Sequence, residues 1–178
     1  MRLTHGLSSE HDVAMRVGIT GHQSIDDTTA WHWVREQIAA ALLRFKQKKN
    51  TLYSSLAAGA DQLCAEVALT VGYSLEVVVP CAGYEATLQG DDCARYRIYL
   101  SKASHVELLD FPVPSADAYL AAGKVVVARS QQLIAVWDGK PAAGKGGTGD
   151  IVAFALESGC PVLQLNPDTR AAVALERP

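Results

Sequence analysis

The chain has 178 residues, 49% of them hydrophobic and 20% charged, which are the proportions of a folded globule and not of a disordered or fibrous chain. A net charge of −3 lacks the basic footprint of non-specific nucleic-acid binding and argues against nucleic acid as a partner. No apolar run approaches the roughly 20 residues of a membrane span, and the first thirteen residues hold no apolar signal-peptide core, so no membrane partner is expected.

Cys64, Cys81, Cys93 and Cys160 show neither CxxC pairing nor zinc spacing. They read as free thiols of a reducing, cytoplasmic compartment, and no metal is expected. Residues 1–13 are polar and aperiodic and read as a flexible lead-in. Residues 14–178 read as a single domain.

Taken in order, Ala14 to Thr20 is an apolar strand ending in the tight turn Gly21-His22-Gln23. Asp26 and Asp27 cap an amphipathic helix over Thr28 to Lys46, with Trp31, Val34, Ile38, Leu42 and Phe45 on one face. A strand over Thr51 to Ala57 passes through Ala58-Gly59-Ala60-Asp61 into a helix over Gln62 to Val71, closed by Gly72. Ser74 to Pro80 is a third strand. Cys81 to Asp92 is an irregular loop, and Cys93 to Ala103 a helix. Ser104 to Leu109 is a weaker strand. Ser115 caps a helix that runs to Ser130 through Val125–Val127, because Tyr119, Ala122 and Val126 share a face. Pro161 to Leu165 is the last strand, and Asn166 to Pro178 a short tail.

Leu133 to Glu157 organises the rest. Leu133 to Trp137 is an apolar run without alternation, as in a strand buried on both faces. Asp138 to Gly149 is rich in glycine and cannot be regular structure. Ile151 begins a helix, with Asp150 as cap or first-turn acid. A glycine-rich loop opening a helix presents free N–H groups and a positive dipole end, the means of holding a phosphate with few cationic side chains. Strand–helix alternation without a hairpin signal predicts an α/β fold: an open, mostly parallel sheet with helices on both faces. Ligands of such sheets bind beyond the carboxyl ends of the strands. The glycine turns after strands one, two and five, and the loop after strand three, fall on that edge.

Two short motifs can be laid on the loop. Gly139 to Lys145 spells GxxxxGK, but Gly146 stands where a Ser or Thr must hold magnesium. Gly144-x-Gly146-x-x-Gly149 spells GxGxxG, with Asp168 about 20 residues on, but the loop is long where a dinucleotide turn is tight.

Three stretches together, GITGHQ (18–23), SLAAGADQLCAEVAL (55–69) and IAVWDGKPAAGKGGTGDIVAFAL (134–156), resemble the SLOG superfamily of Rossmann-like domains. That superfamily includes the DNA-processing protein family and the cytokinin-activating phosphoribohydrolases. The resemblance covers most of residues 14–166. It implies a three-layer Rossmann-like fold, homo-oligomeric assembly and a pocket for a nucleotide or nucleotide-derived ligand. By position, that pocket takes Gly21, His22, Gln23, Gly59, Asp61, Gly146, Gly147, Thr148 and Gly149. Arg129 is the counterpart of the hydrolase's helix arginine. The hydrolase motif PGGxGTxxE is broken here. Its Pro falls on Lys145, its Thr on Asp150 and its catalytic Glu on Ala153, and alanine transfers no proton. Binding or sensing of a nucleotide-derived phosphate ligand, with no resident cofactor, is therefore the first expectation. N-glycosidic hydrolysis or transfer on a nucleoside monophosphate, with Asp61 or Asp150 replacing the Glu, is the alternative.

Each candidate also has a plainer reading. The loop Gly146–Gly149 is a phosphate cradle or a flexible crossover. Lys145 adds charge to the phosphate or is solvated. His22 bonds a ligand, transfers a proton or does neither. Asp61 binds a ribose hydroxyl or caps a helix. Asp138 contacts ligand or forms a turn, and Asp150 is a catalytic acid or a cap. Trp137 walls a base site or is core. Tyr84, Glu85, Asp91 and Asp92 reach over the pocket or form a solvated loop face.

Overall fold

The computed structural model describes residues 14–142 and 144–176. The lead-in expected over residues 1–13 lies outside the described residues. Among the latter, seven strands and five helices alternate: β1 (Ala14–Gly21), α1 (Ala30–Phe45), β2 (Lys49–Ser54), α2 (Ala60–Thr70), β3 (Ser74–Val79), α3 (Gly90–Lys102), β4 (His105–Leu108), α4 (Ala116–Arg129), β5 (Gln132–Val136), α5 (Thr148–Glu157), β6 (Val162–Asn166) and β7 (Ala171–Leu175). A 3₁₀ turn over Tyr84–Thr87 precedes α3.

The strands form one sheet in the order β4-β3-β2-β1-β5-β6-β7. All neighbours are parallel except β7, which runs antiparallel to β6. Alternate residues of the central strands enter opposite layers. Val17, Ile19, Ile134 and Val136 join Val34, Ile38 and Leu42 of α1 and Cys64 and Ala68 of α2 in the larger core. Leu133 and Ala135 turn to Val127 of α4 and Ile151, Val152 and Ala155 of α5. The result is the three-layer Rossmann-like architecture, with α1, α2 and α3 on one face and α4 and α5 on the other.

The structure departs from the sequence expectations at several element ends; α5, for one, starts at Thr148 and not at Ile151. β2 ends at Ser54, not Ala57. The Ser54 hydroxyl accepts from the Leu56 N–H at 2.9 Å, which turns Leu56 to φ 54° and stops the ladder. Helix α3 starts at Gly90, three residues before the expected Cys93. The expected C-terminal tail holds β7, paired from Ala171 opposite Asn166 to Leu175 opposite Val162. Elsewhere the local signals act as written. Ser115 accepts from the Ala118 N–H at 3.1 Å and caps α4, which runs as helix through Val125–Val127. Cys64, Cys81 and Cys160 are buried free thiols.

Candidate ligand-binding cleft

Strand order reverses at the junction of β1 and β5: β2, β3 and β4 build outward from one side and β6 and β7 from the other. Two neighbouring strands whose following segments leave in opposite directions open a crevice at their carboxyl ends. Gly21 and Val136 stand opposite each other there, and the His22 N–H donates to the Val136 carbonyl at 3.0 Å. A cleft of about 720 Å³ lies above this point. Its lining comes from the turns after β1, β2 and β5, from Pro80–Leu88, and from Tyr119, Gly123 and Val126 of α4.

The first turn contributes Gly21, His22 and Gln23. His22 reaches across to the third: its Nε2 accepts from the Asp138 N–H at 3.2 Å and stands 3.3 Å from the Asp138 carboxylate. Asp138 also accepts from the Lys140 N–H at 3.0 Å and pairs with the Lys140 ammonium at 2.9 Å. Burial would raise the Asp138 carboxyl, but these bonds and the neighbouring Lys140 charge outweigh it and hold the group below the usual carboxylate range. The Trp137 indole donates to the Lys140 carbonyl at 2.8 Å, folding the start of the loop back over β5.

The second turn is fastened from within. Asp61, only 5% exposed, accepts from the Ser54 hydroxyl at 3.0 Å and the Ser55 N–H at 3.1 Å. Burial pushes its carboxyl up to about 6, against the opposing pull of those bonds and of the Ala57 and Leu56 N–H groups. Gly59 does not line the cleft. It has φ +78°, and a Cβ on it would stand 2.4 Å from the Gln23 carbonyl oxygen. The Ala60 N–H donates to the His22 carbonyl at 3.1 Å. Gly59 is the point where the first two turns touch backbone to backbone.

The third turn delivers the N-terminus of α5. Gly146, at φ +84°, lies so close to α4 that a Cβ would sit 2.9 Å from the Ala116 carbonyl. Its N–H donates to the Asp150 carboxylate at 2.8 Å. Asp150 and Ile151 donate to the Gly147 carbonyl, and the Gly147 N–H to that of Gly144. Among the described residues nothing accepts from the Thr148 or Gly149 N–H. Both residues line the cleft, and they form the first turn, the positive end, of a ten-residue helix.

Of the sequence candidates, Gly21, His22, Gln23, Asp61, Asp138, Gly146, Gly147, Thr148 and Gly149 meet around this cleft. Four do not. Gly59 is turned into the backbone contact just described. Asp150 is engaged in capping the loop. Lys145 pairs with Asp117 at the start of α4. Arg129, at the far end of α4, pairs with Glu107 of β4 and its carbonyl accepts from Arg16 Nε at 2.9 Å, placing it at the opposite edge of the sheet. Lys140, Ser55 and Tyr119 line the cleft without having been singled out. Lys140 sits in the organising loop two residues after Asp138, a spacing that could have flagged it. Among the described residues no three His, Cys, Asp or Glu gather as a metal-ligating cluster, and no helix is long and apolar enough to cross a membrane.

No family profile and no curated protein sequence matches the chain. Solved structures do. DNA processing protein A of Streptococcus pneumoniae superposes with a TM-score of 0.62 at 17% identity, over 84% of this chain and 50% of that one. The Helicobacter pylori protein of the same name, described with its single-stranded DNA binding mode, gives 0.58 at 18% identity over 84% and 64%. A molybdenum cofactor binding protein of Rippkaea orientalis gives 0.53 at 17% identity over 86% and 77%. The chain thus spans half to two thirds of the DNA processing proteins and most of the cofactor-binding one. At these identities the likeness is one of fold.

Proposed function

We propose that the cleft of this SLOG-type Rossmann-like fold binds a nucleotide or a nucleotide-derived phosphate ligand, with the phosphate on the N-terminus of α5. The observation that carries the reading is the pair of N–H groups on Thr148 and Gly149, which have no partner among the described residues and belong to residues lining a cleft at the switch point of the sheet. Two N–H donors aligned with a helix dipole favour an anion without a dedicated cationic side chain. The bound cofactor named for the Rippkaea orientalis neighbour supports a small-molecule ligand on this fold. Binding or sensing is the role proposed, and the homo-oligomeric assembly implied by the SLOG resemblance is proposed with it.

The test is a thermal-shift and calorimetric panel of nucleoside monophosphates, sugar phosphates and inorganic phosphate against wild type and Thr148→Pro. Thr148 is the first residue of α5 and follows an extended Gly147 at ψ 172°. Proline is tolerated there and deletes one free donor. Phosphate ligands should stabilise the wild type and bind the variant about tenfold more weakly. Equal binding by both proteins, or none by the wild type, sinks the reading.

A second reading is hydrolysis or transfer at the N-glycosidic bond of a nucleoside monophosphate. Asp61 favours it, as a buried cleft carboxyl raised to about 6, a range suited to proton transfer. Its proton would go to the leaving base as the C–N bond breaks, with water taking the base's place on the sugar. Release of free base from the bound nucleotide, absent in Asp61→Asn, would select this reading over binding alone. Single-stranded DNA, argued against by the net charge of −3, is tested by titrating an oligonucleotide at two salt concentrations, with no salt-dependent binding expected.

A further inference from the structure

The cleft holds a second unfilled polar group, on the loop that follows β3. Tyr84 is 6% exposed. Its ring is fixed edge-to-face by Tyr96, with centroids 5.8 Å apart, and by Tyr119 at 6.0 Å. Among the described residues every fully enclosed side-chain nitrogen or oxygen has a hydrogen-bond partner. Tyr73, equally buried, donates its hydroxyl to the Leu42 carbonyl at 2.8 Å. No described residue bonds the Tyr84 hydroxyl, its oxygen is not fully enclosed, and the residue lines the cleft. Burial, and then the charge of Asp61, hold the phenol protonated far above neutral pH, so it stands as a donor. A phenol set in a wall of apolar side chains is costly without a partner.

Tyr119 links this hydroxyl to the end of the cleft where α5 begins. Its ring meets Tyr84, and its Cβ lies 3.5 Å from where a Cβ on Gly146 would stand. Ile19, Val126 and Ile151 add apolar surface to the same space. A donor pair, an aromatic and aliphatic wall and a further lone donor suit an elongated ligand with an anionic end, a flat apolar body and an acceptor on that body.

We infer that Tyr84 is the specificity-determining residue of the cleft, and that it donates to a ring nitrogen or carbonyl of a heterocycle carried by the phosphate ligand. The substrate class is then a phosphorylated nucleoside, and not inorganic phosphate or a bare sugar phosphate. This rests on the phosphate reading above, but its test separates the two.

The probes are AMP, GMP, CMP, UMP, ribose 5-phosphate and inorganic phosphate, titrated calorimetrically into wild type, Tyr84→Phe and Thr148→Pro. At least one nucleotide should bind wild type tenfold or more tightly than ribose 5-phosphate does. Tyr84→Phe should weaken that nucleotide about tenfold, the loss of one hydrogen bond, and leave ribose 5-phosphate unchanged. Its melting temperature should stay at the wild-type value, because the hydroxyl has no partner among the described residues. Thr148→Pro should weaken nucleotide and sugar phosphate alike. If Tyr84→Phe binds the nucleotide as wild type does, or weakens both ligands equally, the role of Tyr84 is overturned while the phosphate reading stands. If wild type binds none of the probes, the phosphate reading falls and the role of Tyr84 with it.

Discussion

Two glycine-bearing turns border the same cleft and differ in what they leave open. After β2, the carboxylate of Asp61 takes the Ser54 hydroxyl and the Ser55 N–H, and Gly59 presses its backbone onto that of Gln23. After β5, Gly146 is pinned by Asp150 and against α4, yet the next helix begins with Thr148 and Gly149 donors that have no partner among the described residues. The first turn consumes its polar groups to fasten the scaffold. The second fixes its glycines and leaves its Thr148 and Gly149 donors without a partner among the described residues. A glycine in a turn at a strand end thus says that backbones come close there; only the hydrogen-bond accounting says whether the approach serves another part of the chain or a ligand.

Substitutions can break that contrast. The largest stability effect should come from Gly59→Ala, which puts a Cβ 2.4 Å from a backbone oxygen at φ +78°. A loss of about 3 kcal/mol or more in denaturant unfolding is expected. Asp61→Ala follows, at about 2 kcal/mol near pH 4, because it strips the acceptor from two donors. That cost should depend on pH. The folded-state carboxyl is raised from 3.8 to about 6, so folding favours its protonated form. The resulting stability is fully present below about pH 4 and is lost as pH rises through 6. The gap between wild type and Asp61→Ala should therefore narrow between pH 4 and pH 8, whereas a constant gap would deny Asp61 its buried, titrating state. Thr148→Pro should give the smallest change in stability, within about 0.5 kcal/mol, and the clearest loss of phosphate binding. A large destabilisation by Thr148→Pro would show that the second turn is a fastening too.

Most of the scaffold was legible because its signals are local. Strands β1, β3 and β5 are mostly apolar stretches stopped by glycine, proline or the acid Asp138. Ser115 announced α4 strongly enough to override three consecutive valines. β7 was not legible, since three of its five residues are alanine, a poor strand former, and pairing with β6 decides its state. The turn residues Asn166, Pro167 and Asp168 between two apolar runs were the available hint.

At the cleft, the glycine turns could be placed on the correct edge from topology alone. Arg129 could not, because periodicity gives the face of a helix and not its end. Fourteen residues of α4 carry it about 20 Å away. Lys145 and Asp150 stand off the cleft for a different reason, Asp150 in the capping role that was its plainer reading. Their sequence neighbours line the cleft, but each is bonded to another part of its own scaffold. Tyr84 comes into place only through Tyr96 and Tyr119, which are distant in sequence.

The central seam of the sheet also has a consequence for the chain's history. The bond from the Asp138 N–H to His22 joins residues 116 apart in sequence, and β1 meets its second neighbour only when β5 has been made. During synthesis β1, β2 and β3 can assemble on one side while the other side of β1 waits with unpaired backbone. The two sides of the cleft can meet only once β5 and α5 have been made. A truncation before Gly149 would have most of the parallel sheet and no receptor at all. A slow closing step, set by the entropy of that long loop, should be the last to appear in refolding followed by the fluorescence of Trp137.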